Sequence, residues 1–174
     1  MRSDELQGMD LAVGHLAECG CRRIGSVIHG RIGMGNVDLR RSGILSALEK
    51  RGLPAEESLV RIALPDDYIE EIGKLLRNGI DGLFCCGGSN AGGIAAYALS
   101  LYGKRIPEDI QLVSSERAQT SRYCIPPQTT ISQDYSAVAS AVAAALDSGV
   151  RGEEVSPETV IPYRLILRDS TAPR

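Results

Sequence analysis

Three groups of residues in this chain have the types and spacing to do chemistry. The first is a glycine-rich run, Gly87-Gly88-Ser89-Asn90-Ala91-Gly92-Gly93, which follows an apolar stretch and opens a helical one. Backbone N–H groups in such a place can cradle an anion. The run is no P-loop, because no Gly-Lys-Ser/Thr closes it, and it lacks the acidic residue of a dinucleotide fingerprint at the usual spacing. Ser89 and Asn90 remain candidate donors to a ligand. The second group is Cys85-Cys86, which with His29 could form a nucleophile and base. No third group orients them, and cysteines at a strand end are more often small buried hydrophobes. The third is Glu116, just beyond the apolar segment 110–113. It falls at the carboxyl edge, where open α/β sheets bind ligands. The competing assignment is a loop carboxylate paired with Arg117.

Metal and disulfide chemistry find little support. The five cysteines, at 19, 21, 85, 86 and 124, are odd in number and include an adjacent pair, which gives no disulfide framework and fits a reducing compartment. A zinc site would have to recruit His15 or His29, and the spacing matches no zinc template. No metal and no cofactor is expected.

The elements that must position these residues can be read from periodicity. Leu6, Met9, Val13, Leu16 and Ala17 share one helical face within 5–19, and Gly20 closes that helix. A strand over 22–28 follows, then a glycine-rich turn and a helix capped by Asn36 that buries Val37, Ile44, Leu45 and Leu48. Residues 59–63 form a strand, and Pro65-Asp66-Asp67 opens a helix carrying Ile69, Ile72, Leu75 and Leu76. A strand over 80–86, a helix over 91–102 and a strand over 110–113 complete the alternation. The double proline Pro126-Pro127 fixes φ and denies two donors, so the chain is expected to leave the sheet there in an extended path. Asp134 or Ser132 then caps a helix burying Val138, Val142 and Leu146, and 159–168 is a strand interrupted by Pro162. Strands alternating with helices of this length give an α/β fold: a doubly wound open parallel sheet with helices on both faces.

Composition bounds the function. At 174 residues there is sequence enough for a real core, and 43% hydrophobic residues with 4% aromatics and no Trp make it aliphatic. A net charge of −3 gives no global attraction to phosphate, which argues against nucleic-acid binding by this chain alone. No apolar run approaches the ~20 residues of a membrane span, so a cytoplasmic protein is expected.

Several stretches also resemble a known family in order and spelling. Ile106-Pro107-Glu108-Asp109-Ile110, the strand after it, and Pro126-Pro127-Gln128-Thr129-Thr130-Ile131 are similar to the C-terminal lobe of LacI/GalR-type transcriptional regulators. So are Arg40-Arg41-Ser42-Gly43-Ile44 and the closing stretch Leu165 to Thr171. The resemblance implies a periplasmic-binding-protein-like, Rossmann-like lobe without catalysis that binds a small, carbohydrate-like effector and forms a homodimer. It implies residues 1–131 as the C-terminal lobe and 132–174 as a returning helix and tail strand that bridge to a first lobe. That first lobe and a helix-turn-helix head, through which DNA would be bound, have no counterpart in these residues. The resemblance also places Arg40 as a bidentate fork on the effector, Glu116 as acceptor from its hydroxyls and Tyr135 as an aromatic packed on it. It places the dimer contact on Ala91, Ile94, Tyr97 and Leu101 of one helix and on Tyr123. Departures fall in the same pocket: Ser114-Ser115-Glu116-Arg117 stands where Gly-Tyr-Asp-Asp is usual, and the glycine-rich run replaces Asn-Asp. The rival assignments are a periplasmic sugar-binding lobe and a nucleotide-dependent α/β enzyme using residues 87–93.

Overall fold

The computed structural model describes residues 2–88, 90–117, 119–154 and 158–173. Its centre is a six-stranded sheet of order β3-β2-β4-β5-β6-β8, where β2 is Ile24–His29, β3 Val60–Ala63, β4 Gly82–Cys86, β5 Gln111–Ser115, β6 Thr129–Gln133 and β8 Tyr163–Ile166. The first five strands run parallel, and β8 closes the far edge antiparallel to β6. Helices α1 (Glu5–Glu18) and α2 (Gly35–Glu49) cover one face, and α3 (Tyr68–Arg77) and α4 (Ala91–Leu101) the other. Successive side chains of β4 show why both faces need cover. Phe84 and Cys86 enter the core beneath α1 and α2, whereas Leu83 and Cys85 enter the one beneath α3 and α4.

Local chemistry sets the helix boundaries. Asp4 caps α1 by accepting from the Gln7 N–H at 3.1 Å, and Asp134 caps α5 (Tyr135–Arg151) by accepting from the Ala137 N–H at 3.1 Å. Asn36 is not a cap: α2 begins two residues earlier than expected, at Gly35, with Met34 at the cap position and no side-chain bond there. Leu6, expected on the buried face of α1, is half exposed, and Gly8 faces inward instead. A Cβ at Gly8 would lie 2.7 Å from the Tyr163 ring, so glycine is what lets α1 pack against β8.

The largest departure from the sequence reading follows the double proline. The chain does not leave the sheet there; it forms β6, parallel to β5, with Val113 opposite Thr129 and Ser115 opposite Ile131. The prolines lie before the ladder, so their missing donors are not required by it. β6 escapes recognition because Thr129, Thr130 and Ser132 are polar yet buried. The Thr129 N–H donates to Ser170 Oγ at 2.8 Å, and Ser170 Oγ donates to the Leu112 carbonyl at 2.6 Å, so the tail beyond β8 is held in the same sheet. β6 runs across the 131/132 boundary expected from the sequence. A separate two-stranded parallel ladder joins β1 (Arg2–Ser3) to β7 (Val160–Ile161). None of the residues of α5 is buried, and its Val142, Leu146 and Val150 lie exposed.

Candidate functional site

The carboxyl ends of β4, β5 and β6 and the start of β8 meet at one edge of the sheet, because Gln133 stands opposite Tyr163 in the antiparallel pair. Between them lies a cavity of about 120 Å³, bordered by Gly87, Ser115, Glu116, Arg117, Gln133 and Tyr135 among others. Gly87, at φ +77°, turns the chain out of β4; a Cβ there would lie 2.7 Å from Arg40 Nη1. Its N–H donates to Ser115 Oγ at 3.0 Å, which ties the ends of β4 and β5.

Glu116 has a side chain only 7% exposed. Its Oε2 accepts from Arg168 Nη2 at 2.9 Å and from the Thr130 hydroxyl, whereas Oε1 is buried without a partner. Arg117, the partner in the competing assignment, turns away: its Nε and Nη2 both donate to the Gly88 carbonyl. Arg168, 52 residues further along, supplies the charge instead, and it also donates to the Gln128 carbonyl. Buried carboxylates need such a partner.

Arg40 stands behind Gly87 and is committed to an internal carboxylate. Its Nε donates to Glu5 Oε2 at 2.7 Å and its Nη2 to Glu5 Oε1 at 3.3 Å, with the two side chains 15% and 14% exposed. Burial opposes the guanidinium's charge, but the Glu5 bonds outweigh it and hold its pKa above the usual value. Tyr163 Oη donates to Glu5 Oε1 at 2.9 Å, and burial, reinforced by Glu5, pushes the phenol up to about 12. Arg40 and Glu116 therefore share one edge of the sheet, with Gly87 against the first and beside the second.

Residues 13–171 match the family model of the periplasmic binding protein-like domain. The chain belongs to this family. Among sequence relatives, the HTH-type transcriptional repressor PurR of Haemophilus influenzae is 35% identical over 127 residues, covering 71% of this chain and 37% of that protein. The HTH-type transcriptional regulator DegA of Bacillus subtilis is 28% identical over 175 residues, 98% of this chain and 51% of DegA. The chain thus spans between about a third and a half of the length of such relatives. Among solved structures, the transcriptional regulator CelR–cellobiose complex superposes with a TM-score of 0.82 at 27% identity, over 97% of this chain and 52% of CelR. A LacI family transcriptional regulator from Enterococcus faecium with bound ribose gives 0.79 at 25% identity, over 99% and 65%. The resemblance to LacI-type regulators and the doubly wound α/β fold read from the sequence both hold.

The other candidate residues of this periplasmic binding protein-like lobe are placed as follows. Tyr135 opens α5 at the cavity rim and is 62% exposed. Asn90 stands at the N-cap of α4 without a side-chain cap bond, its amide folded over Gly93 and outside the cavity lining. Ser89 lies outside the described residues. On α4, Tyr97 and Leu101 are exposed, as is Tyr123, whereas Ala91 is buried in the core and Ile94 packs against it. The outward face of α4 is accordingly made by Tyr97 and Leu101, with Ala91 inside because it sits on the sheet side of the helix.

Cys85 and Cys86 are wholly buried, and burial pushes both thiols up, Cys86 to about 12, the opposite of what a thiolate nucleophile requires. His29 packs edge-on against Tyr68 with ring centroids 6.4 Å apart. Among the described residues no three His, Cys, Asp or Glu groups converge as metal ligands, and no helix is long and apolar enough to cross a membrane. A larger cavity of about 520 Å³ lies on the outer edge of β3, away from the carboxyl ends of β4, β5 and β6; of its charges Arg41 pairs with Glu57 and Arg61 with Glu71, and Asp38 also lines it. The smaller cavity is therefore the candidate site. Glu5, Gln133, Tyr163 and Arg168 are the site residues that sequence reasoning missed. They are brought in from both ends of the chain; of the four only Arg168 lies in a stretch that the resemblance picks out, and the resemblance gave it no role.

Proposed function

We propose that this chain is the effector-binding and dimerising lobe of a LacI-type transcriptional regulator that acts in the cytoplasm without catalysis. The observation that carries this reading is the gathering of Glu116, Gln133, Tyr135 and, behind Gly87, Arg40 around one cavity at the carboxyl edge of the sheet. The supporting context is a set of relatives that are transcriptional repressors and regulators, two of them solved with cellobiose or ribose. The effector is a small, carbohydrate-like molecule. Glu116 accepts from its hydroxyls, Tyr135 packs on its apolar face, and Asn90 donates only by swinging its amide off Gly93; Ser89 is the further donor proposed from the sequence. Arg40 reaches the effector only by exchanging a contact with Glu5.

Residues 1–131 serve as the effector lobe, and 132–174 return toward a first lobe that covers the exposed Val142, Leu146 and Val150 of α5. An effector held between two lobes favours one relative orientation over the other, a shift of populations that a DNA-binding head outside this chain would read. With a net charge of −3 the chain itself offers DNA no electrostatic attraction. Backbone-resolved NMR of the chain titrated with ribose and cellobiose tests the site. At millimolar ligand, shifts centred on Gly87, Glu116 and Tyr135 are expected for at least one of them, lost in Glu116→Ala. Shifts confined to other surfaces, or none, would refute the assignment.

The homodimer forms through the face of α4 carrying Tyr97 and Leu101, and through Tyr123. These residues are 58%, 56% and 74% exposed, an apolar grouping that a solvated surface rarely keeps. Sedimentation at low micromolar concentration should give a dimer, and Leu101→Glu should return it to the 18.6 kDa monomer. A wild-type chain that sediments as a monomer would remove this face from consideration.

A further inference from the structure

We infer that the effector of this site carries an anionic group, and that Arg117 binds it while Glu116 accepts a hydroxyl of the same molecule; this rests on the effector-binding reading above. The charges around the cavity decide it. Arg168 is paired with Glu116, Arg40 with Glu5 and Arg164 with Asp134. Arg117 borders the same cavity, is exposed, and has only the Gly88 carbonyl as partner; no carboxylate among the described residues meets it. The site thus holds one positive charge in excess.

A guanidinium has five N–H donors in a fixed fork. Two of its nitrogens bond the Gly88 carbonyl, so N–H groups remain for a carboxylate or phosphoryl oxygen without breaking that contact. The second, independent observation is Glu116 Oε1, an acceptor without a partner on a side chain 93% buried (7% exposed) in the cavity wall; the oxygen is itself closed off from solvent, so a hydroxyl reaches it only when the carboxylate turns toward the cavity. An unpaired buried carboxylate oxygen is costly and calls for a donor. The two demands together describe a polyhydroxylated small molecule bearing one anion. A sugar acid and a sugar phosphate share that chemistry.

The test compares D-gluconate and D-glucose 6-phosphate with neutral D-glucose, followed by NMR at Gly87, Glu116 and Tyr135 of the whole chain. At least one anion should bind about ten- to a hundredfold more tightly than glucose, the span of a charge-assisted hydrogen bond. Which of the two wins distinguishes the carboxylate from the phosphoryl source. Arg117→Gln should erase the preference, and Arg117→Lys, which keeps the charge without the fork, should restore part of it. Raising salt should weaken the anion and leave glucose unchanged. If glucose binds as tightly as the anions, or Arg117→Gln leaves the ratio unchanged, the anion inference fails and the effector reading stands. If none of the three, nor ribose or cellobiose, perturbs these residues, both fail.

Discussion

Replacing Arg168 by methionine is expected to destabilise the chain by about 3–5 kcal/mol, the usual consequence of removing one partner from a buried ion pair. The pair qualifies as buried, with the two side chains 16% and 7% exposed. Arg168 also donates to the Gln128 carbonyl and to Thr130 Oγ1, the latter at 3.2 Å, so its loss loosens β6 from the tail as well. With an m-value of about 2 kcal/mol/M, the urea midpoint should fall by about 2 M. The double variant Arg168→Met with Glu116→Gln isolates the cause. Removing the stranded charge should recover more than half of the loss, because the neutral amide can still bond Thr130. A loss under about 1 kcal/mol in the single variant would mean that solvent screens the pair as it does at a surface.

Glu5→Ala should have an effect of similar size at the other side of the cavity, about 3 kcal/mol, since it strands the Arg40 guanidinium and deprives the Tyr163 hydroxyl of its acceptor. The contact holds three distant segments together: the start of α1, the body of α2 and the first residue of β8. Hydrogen exchange should therefore rise at the Tyr163 N–H, which donates to Gln7 Oε1 while the Gln7 side-chain amide donates to the Tyr163 carbonyl, before it rises in β4. Glu5→Gln is the informative companion. It keeps the shape and one acceptor but leaves the guanidinium without a counter-charge, so it should recover little. If Glu5→Gln is as stable as the wild type, the pair is held by packing and hydrogen bonding alone.

These two contacts also show where the sequence stops being informative. The apolar spacing of Met9, Val13 and Leu16 or of Ile72 and Leu75 predicts helices that the structure contains, because burial on one face imposes a period that survives without knowledge of the partner. The strands β2 to β5 are legible for a related reason. Their runs are apolar on both faces, and the helices between them are long enough to require parallel crossovers. Glycine run, carboxylate and arginine could all be assigned to the carboxyl edge once the strands were placed, since each lies just past a strand or in the helix after it. β6 was not legible. Thr129, Thr130 and Ser132 carry no apolar signal, and their burial depends on Ser170, Arg168 and Glu116, which only the folded chain brings near. The antiparallel placement of β8 depends likewise on a register with β6 that no turn motif announces.

The sequence by itself determined the α/β class, the helices α1 to α4, the strands β2 to β5 and the family. Those follow from periodicity and from chain direction, both of which are local. The tertiary structure alone decided which charges are free. Arg40 and Glu116 look available in the sequence, yet Glu5 and Arg168 neutralise them, while Arg117, the rival partner for Glu116, is left bonded to a carbonyl. The physical reason is that a buried charge selects its partner by distance in the folded state, across 35 residues for one pair and 52 for the other, and that distance is set by packing rather than by spacing along the chain.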